Sequence, residues 1–145
     1  VGSRSYRDYN LVGDCVNTTA RIESQTKNYA AAILASGEFV SALQVKPVSL
    51  LVDRVQVKGK SRATELHAIF GRGDDPGEDG RTAYRAAFAS YEAGAFEEAA
   101  AAFGILTKHP HATLAVSAAL LVERCRAYAS APPGKWDGVH ELTSK

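Results

Sequence analysis

Val48-Ser49-Leu50-Leu51-Val52-Asp53-Arg54-Val55-Gln56-Val57 (VSLLVDRVQV), with Lys58-Gly59-Lys60-Ser61 after it and Ala63–Phe70 (ATELHAIF) beyond, decides how this chain is read. Its first ten residues are rich in β-branched side chains. Leu51, Asp53, Val55 and Val57 set against Val52, Arg54 and Gln56 give a partial two-residue alternation. A glycine-centred turn then leads to a second strand-like run, so the whole stretch reads as a β-hairpin.

On the N-terminal side, Pro47 closes the region before the hairpin. Ala31-Ala32-Ile33-Leu34-Ala35 is an apolar run of buried-strand length, and Ser36 reads as the N-cap of a short helix through about Leu43. Further back, Asp14 to about Tyr29 reads as a helix. The Asp14 carboxylate can cap its first turn, and Ala20, Arg21, Glu23, Gln25 and Lys27 favour the conformation.

On the C-terminal side, Gly71 to Gly80 (GRGDDPGEDG) reads as a linker, because four Gly, one Pro and four acids in ten residues cannot build a core. Its Arg72-Gly73-Asp74 is set aside as an adhesion motif. A phosphate cradle is set aside too, since the acids would repel phosphate and no Gly-Lys-Ser/Thr follows. Helical spacing then dominates. Tyr84, Ala87, Phe88 and Tyr91 recur on one face, Gly94 interrupts, and Phe96, Ala99, Ala100 and Phe103 recur on the next, ending near Pro110. A third helix is expected from about Ala112 to Tyr128, with Leu114, Leu121 and Cys125 on one side. Pro132-Pro133 stops it before a tail that holds the only tryptophan, Trp136. His109-Pro110-His111 reads as a polar loop at a helix end.

Composition excludes several classes. An apolar fraction of 46% and a charged fraction of 23% are those of an ordinary globular protein. The net charge of +1 gives no general attraction to nucleic acid, and no nucleic-acid partner is expected. Residues 1–60 carry eight Lys/Arg against five Asp/Glu, a mild positive excess that suits an anionic ligand. Cys15 and Cys125 form no CxxC pattern, so a reduced, cytoplasmic setting is expected. No apolar run approaches the roughly 18–20 residues of a membrane span. The chain contains no methionine, and part of a longer protein is expected.

Two groups could carry chemistry. Asn17 and Arg21 stand four apart on the expected helix, so they share a face near its positive end. Arginine can grip phosphate bidentately and an amide can hold a hydroxyl, although the same spacing also describes a solvated face. Lys58 and Lys60 flank a glycine at the hairpin tip, where they could reach a polyphosphate or simply face water.

Asp8-Tyr9-Asn10-Leu11-Val12-Gly13-Asp14-Cys15-Val16-Asn17, followed by Ala20-Arg21-Ile22-Glu23, resembles the signature of class III adenylate/guanylate cyclases. Val57-Lys58-Gly59-Lys60, about forty residues on, resembles that family's second motif, and Ile33-Leu34-Ala35-Ser36 its intervening strand and serine-started helix. Gly94-x-Phe96-x-x-Ala99-x-x-x-Phe103 is similar to the middle of a tetratricopeptide repeat, and Pro132–Val139 looks like the end of bacterial membrane-anchored sensor cyclases.

The resemblance implies an α+β fold. Residues 1–70 would be the C-terminal part of a ferredoxin-like cyclase domain, 71–80 a linker, and 81–145 a helical tetratricopeptide-like extension. It implies conversion of ATP to cyclic AMP and pyrophosphate, with Arg21 stabilising transition-state charge, Asn17 orienting the ribose and Lys58 binding the terminal phosphates. Asn10 falls where the family reads the base. It departs from the usual residues there and can satisfy adenine or guanine, with ATP favoured over GTP.

Magnesium or manganese would be bound by two aspartates upstream of the signature. No metal ligand is expected in this chain; Asp14 is read as a cap and Asp8 as a loop residue. The chain alone is expected to be inactive, the parent protein to form a homodimer through its cyclase domain, and an N-terminal region to anchor that protein in the inner membrane. The competing expectation is a non-catalytic module, a cyclase remnant whose helical repeat binds a partner protein.

Overall fold

The computed structural model describes residues 26–56, 63–71 and 73–141. In chain order these form α1 (Thr26–Tyr29), β1 (Ile33–Ser36), α2 (Gly37–Ala42), β2 (Val48–Gln56), β3 (Ala63–Phe70), α3 (Glu78–Glu92), α4 (Phe96–Leu106), α5 (Ala112–Ser130) and β4 (His140–Glu141). The fold is α+β: a four-stranded mixed sheet of order β1-β3-β2-β4 with helices against it. β3 pairs antiparallel with both β1 and β2, and β4 adds in parallel to β2.

The hairpin forms where the sequence placed it, its last described rung pairing Gln56 with Ala63. Ser36 caps α2 as expected, its Oγ accepting from the Phe39 N–H at 3.1 Å. Of the stretch expected to be helical from Asp14 to about Tyr29, Thr26–Tyr29 forms α1, and residues 14–25 lie outside the described residues.

The strand alternation differs from expectation. The β2–β3 register slips between Leu51 and Asp53, leaving Val52 as an extra residue in a bulge. Without the bulge, Leu50 and Val52 would share one face and Asp53 the other. With it, Val52, Asp53 and Val55 are all buried.

α3 begins at Glu78, inside the stretch expected to be linker. Glu78 and Asp79 occupy its first turn, where acids suit the positive helix end. Gly80 is buried beside α5: a Cβ there would lie 2.9 Å from both Leu114 Cδ2 and His109 Nε2. Between α3 and α4, Gly94 has φ +85°, the left-handed conformation that reverses the chain. α5 runs to Ser130, slightly past the expected end.

One continuous core joins sheet and helices. Leu50, Val52, Val55, Leu66, Ala68 and Phe70 from the sheet meet Tyr84, Phe88 and Tyr91 of α3, Phe103 of α4, and Leu114, Leu121 and Cys125 of α5. α4 packs on α3 and α5, and α5 also contacts α1. Among the described residues, no helix is long and apolar enough to cross a membrane.

Candidate functional site

Asn10, Asn17 and Arg21 precede Thr26, and Lys58 falls between Gln56 and Ala63. All four expected site residues therefore lie outside the described residues. The structure does describe the two frames adjoining them in sequence, the end of α1 and the paired ends of the hairpin.

The end of α1 is gripped by a buried polar node that sequence reading missed. The bulge turns Asp53 inward, where it is fully buried. Its carboxylate accepts from Tyr29 Oη at 2.7 Å, from Arg124 at 2.9 and 2.8 Å, and from the Arg54 backbone N–H at 2.8 Å. Arg124 also donates to Tyr91 Oη at 3.0 Å. Tyr84 Oη donates to the Val52 carbonyl at 2.8 Å, satisfying the bulge backbone.

Burying an ion pair costs several kcal/mol per ion before attraction and hydrogen bonds offset it. Here both Asp53 oxygens are engaged, which is the geometry that makes such burial tolerable. Burial, reinforced by the Asp53 charge, pushes the Tyr29 hydroxyl far above its ordinary range. For Arg124, burial works against the charge, yet Asp53 and Tyr91 outweigh it and the guanidinium is held more firmly protonated. Tyr29 and Arg124 thus keep their protons, and Asp53 is closed to solvent. The node holds elements together rather than exchanging protons.

α5 grips α1 at two further points. Ser117 Oγ donates to the Tyr29 carbonyl at 3.2 Å, and Thr113 Oγ1 donates to the Ala30 carbonyl at 2.8 Å. Ala30 has φ +52°, a left-handed conformation for a residue with a Cβ. His111 caps α5, its Nδ1 accepting from the Thr113 N–H at 3.2 Å, while His109 Nδ1 accepts from the His111 N–H at 3.0 Å. The His-Pro-His segment is thus engaged in helix capping.

The second frame is held by ion pairs. Arg54 bridges Glu65 of the facing strand at 2.7 Å and also Glu92 of α3, and His67 Nε2 lies 3.1 Å from Glu65 Oε1. Hydrogen bonds from Arg54, then His67, hold the Glu65 carboxyl below its usual range. The C-terminal tail completes this edge, with His140 and Glu141 pairing with Val55 and Gln56. Among the described residues, no group of three His, Cys, Asp or Glu side chains is arranged to hold a metal ion.

Asp53 and Arg124 carried a signal that could have been read. An acid sits inside the β-branched run VSLLVDRVQV, and an arginine sits seven residues after Ser117 on a helix face lined by Leu114, Leu121 and Cys125. A charge at a core position implies a buried partner.

No family model and no solved structure matches this chain. Over 71 residues, 49% of its length, the chain is 30% identical to Adenylate cyclase 1 of Rhizobium meliloti (strain 1021). The match spans 11% of that relative's length. This partial likeness supports a cyclase-related region in the chain.

Proposed function

We propose that this chain is part of a class III nucleotide cyclase that converts ATP to cyclic AMP and pyrophosphate. The observation that carries the reading is the likeness to Adenylate cyclase 1, taken with the two signature-like motifs in order. In the reaction, the ribose 3′-hydroxyl attacks the α-phosphorus in line and pyrophosphate departs. Negative charge builds on the α-phosphoryl oxygens, and a fixed cation there lowers the barrier.

In this reading Arg21 supplies that cation and Asn17 holds the ribose for attack. Lys58 binds the terminal phosphates, and Asn10 faces the base. The metal-binding aspartates belong to sequence upstream of the signature. The site completes between two subunits, so this chain alone turns over nothing.

The test is turnover of Mg-ATP and Mg-GTP by the longer protein containing this chain, with and without Arg21→Ala. Losing one charge-stabilising donor is expected to lower kcat on ATP by about 10²–10³-fold. Thermal stability is expected to change little by comparison. Equal loss of folding and activity would remove the transition-state role from Arg21, and a clear preference for GTP would reverse the assignment of the base.

A further inference from the structure

The chain after α5 falls into a bare tether and a densely held end. Ala131 still bonds back to the Ala127 carbonyl at 2.9 Å. Pro132, Gly134 and Lys135 are then exposed, and a Cβ at Gly134 would meet no atom within 4 Å among the described residues. The two prolines have no backbone donor to offer, so little holds the tether down. From Trp136 onward the contacts multiply. Its ring meets Tyr91, Phe96 and Tyr128 at interplanar angles of 70°, 69° and 63°, three edge-on contacts, while its Nε1 donates to the Tyr91 carbonyl.

A turn follows the anchor. Asp137 Oδ1 accepts from the Val139 N–H at 3.2 Å, and Gly138 takes φ +84°. Gly138 is buried against the end of α3, where a Cβ would lie 3.3 Å from Glu92 Cγ. The turn delivers His140 and Glu141 to the outer edge of β2, beside Val55 and Gln56. An aromatic side chain in a pocket, with backbone added to a sheet edge, is how proteins take up extended peptides. The pocket walls also have partners of their own. Arg124 donates to Tyr91 Oη, Phe88 packs on the Tyr91 ring at 5.1 Å, and Phe96 meets Tyr128 at 5.2 Å. The receiving surface is thus built by the body and not by the tail.

We propose that Trp136–Glu141 is a detachable strap closing a peptide-binding cleft, and that the vacated cleft takes in trans an extended peptide with the same plan: a tryptophan anchor, a turn and a short strand. The proposal goes beyond the cyclase reading and stands without it. Two paired residues make a weak ladder, so the anchor decides whether the strap is seated. An open strand edge is in turn a ready template for another chain.

Two measurements on the full chain test it. In the wild type, amides of Val139–Glu141 are expected to exchange at least about tenfold faster than those in the middle of α5, through a local opening. Equal rates would mean that the tail leaves only when the whole chain unfolds, which would overturn a detachable strap. Trp136→Ala removes the anchor and the only tryptophan, so an added synthetic peptide of residues 132–141 becomes the sole source of tryptophan emission. That emission is expected to shift to the blue as the peptide is taken up.

By anisotropy of the labelled peptide, the variant should bind at least about tenfold more tightly than the wild type, whose tethered strap competes at a roughly millimolar effective concentration. The same peptide carrying Trp136→Ala is expected to lose binding. No uptake by the folded variant, or equal uptake by variant and wild type, would overturn the cleft. A variant lacking a cooperative thermal transition would overturn it too, because Trp136 would then belong to the core.

Discussion

Ala30 follows α1 with φ +52°, where an L-residue pays about 1–2 kcal/mol against the right-handed conformation. Glycine would remove that strain but bring about 0.5–1 kcal/mol of extra chain entropy to the unfolded state. Ala30→Gly is therefore expected to stabilise the chain by roughly 0.5–1 kcal/mol, read as a higher urea midpoint with unchanged slope. A lower midpoint would mean that the alanine methyl contributes packing worth more than the strain. Single residues are also where the sequence was least legible. Asp53 and Arg124 stand 71 residues apart, and neither announces its partner. What hid the pair was the one-residue bulge at Val52, which reverses the inward face halfway along β2. Simple alternation cannot anticipate such a slip. The roles expected of Asn10, Asn17, Arg21 and Lys58 rest on resemblance alone, because their spacing equally fits a solvated surface.

Elements with a strong period were read well. The apolar faces of α3, α4 and α5, the Ser36 cap and the hairpin all follow from local pattern, whereas β4 has two residues and no pattern to read. So short a ladder is marginal alone; the tail is held by Trp136. Its ring meets Tyr91, Phe96 and Tyr128 with centroids 5.0, 5.3 and 5.2 Å away, and its Nε1 donates to the Tyr91 carbonyl at 2.8 Å. His140 Nδ1 lies 2.7 Å from Tyr128 Oη, which donates when the imidazole is neutral. Burial, aided by the Arg124 charge, pushes the His140 pKa down to about 4 from 6.5. The folded tail thus disfavours the imidazolium. Its hold is complete above about 6.5 and weakens as pH falls toward 4, because the detached histidine binds the proton first. Emission from Trp136, the only tryptophan, should shift to the red across that window, and His140→Gln should flatten the change. An unaltered pH profile in His140→Gln would assign the transition to carboxylates instead.

At the scale of the whole molecule, the question is whether the sheet can stand without the helices that follow it. Leu50, Val52, Val55, Leu66 and Phe70 form the sheet's share of a core whose other side is α3, α4 and α5. Fully burying each large apolar side chain stabilises by about 1.5–3 kcal/mol, so uncovering five approaches the roughly 5–15 kcal/mol stability of a typical domain. Truncation after Gly77 would also leave the Asp53 carboxylate buried without Arg124, which for a broken ion pair costs about 3–5 kcal/mol more. Residues 1–77 are therefore expected to show poorly dispersed amide resonances and no cooperative thermal transition, while the full chain shows both. Replacing Asp53 by Asn in the truncated chain should recover little, because the lost apolar cover is the larger effect. A cooperative, well-dispersed 1–77 would mean that sheet and helices are separable units. The helical region, legible in sequence as repeat-like spacing, gains its meaning from the surface it covers, and that surface is visible only once the chain is folded.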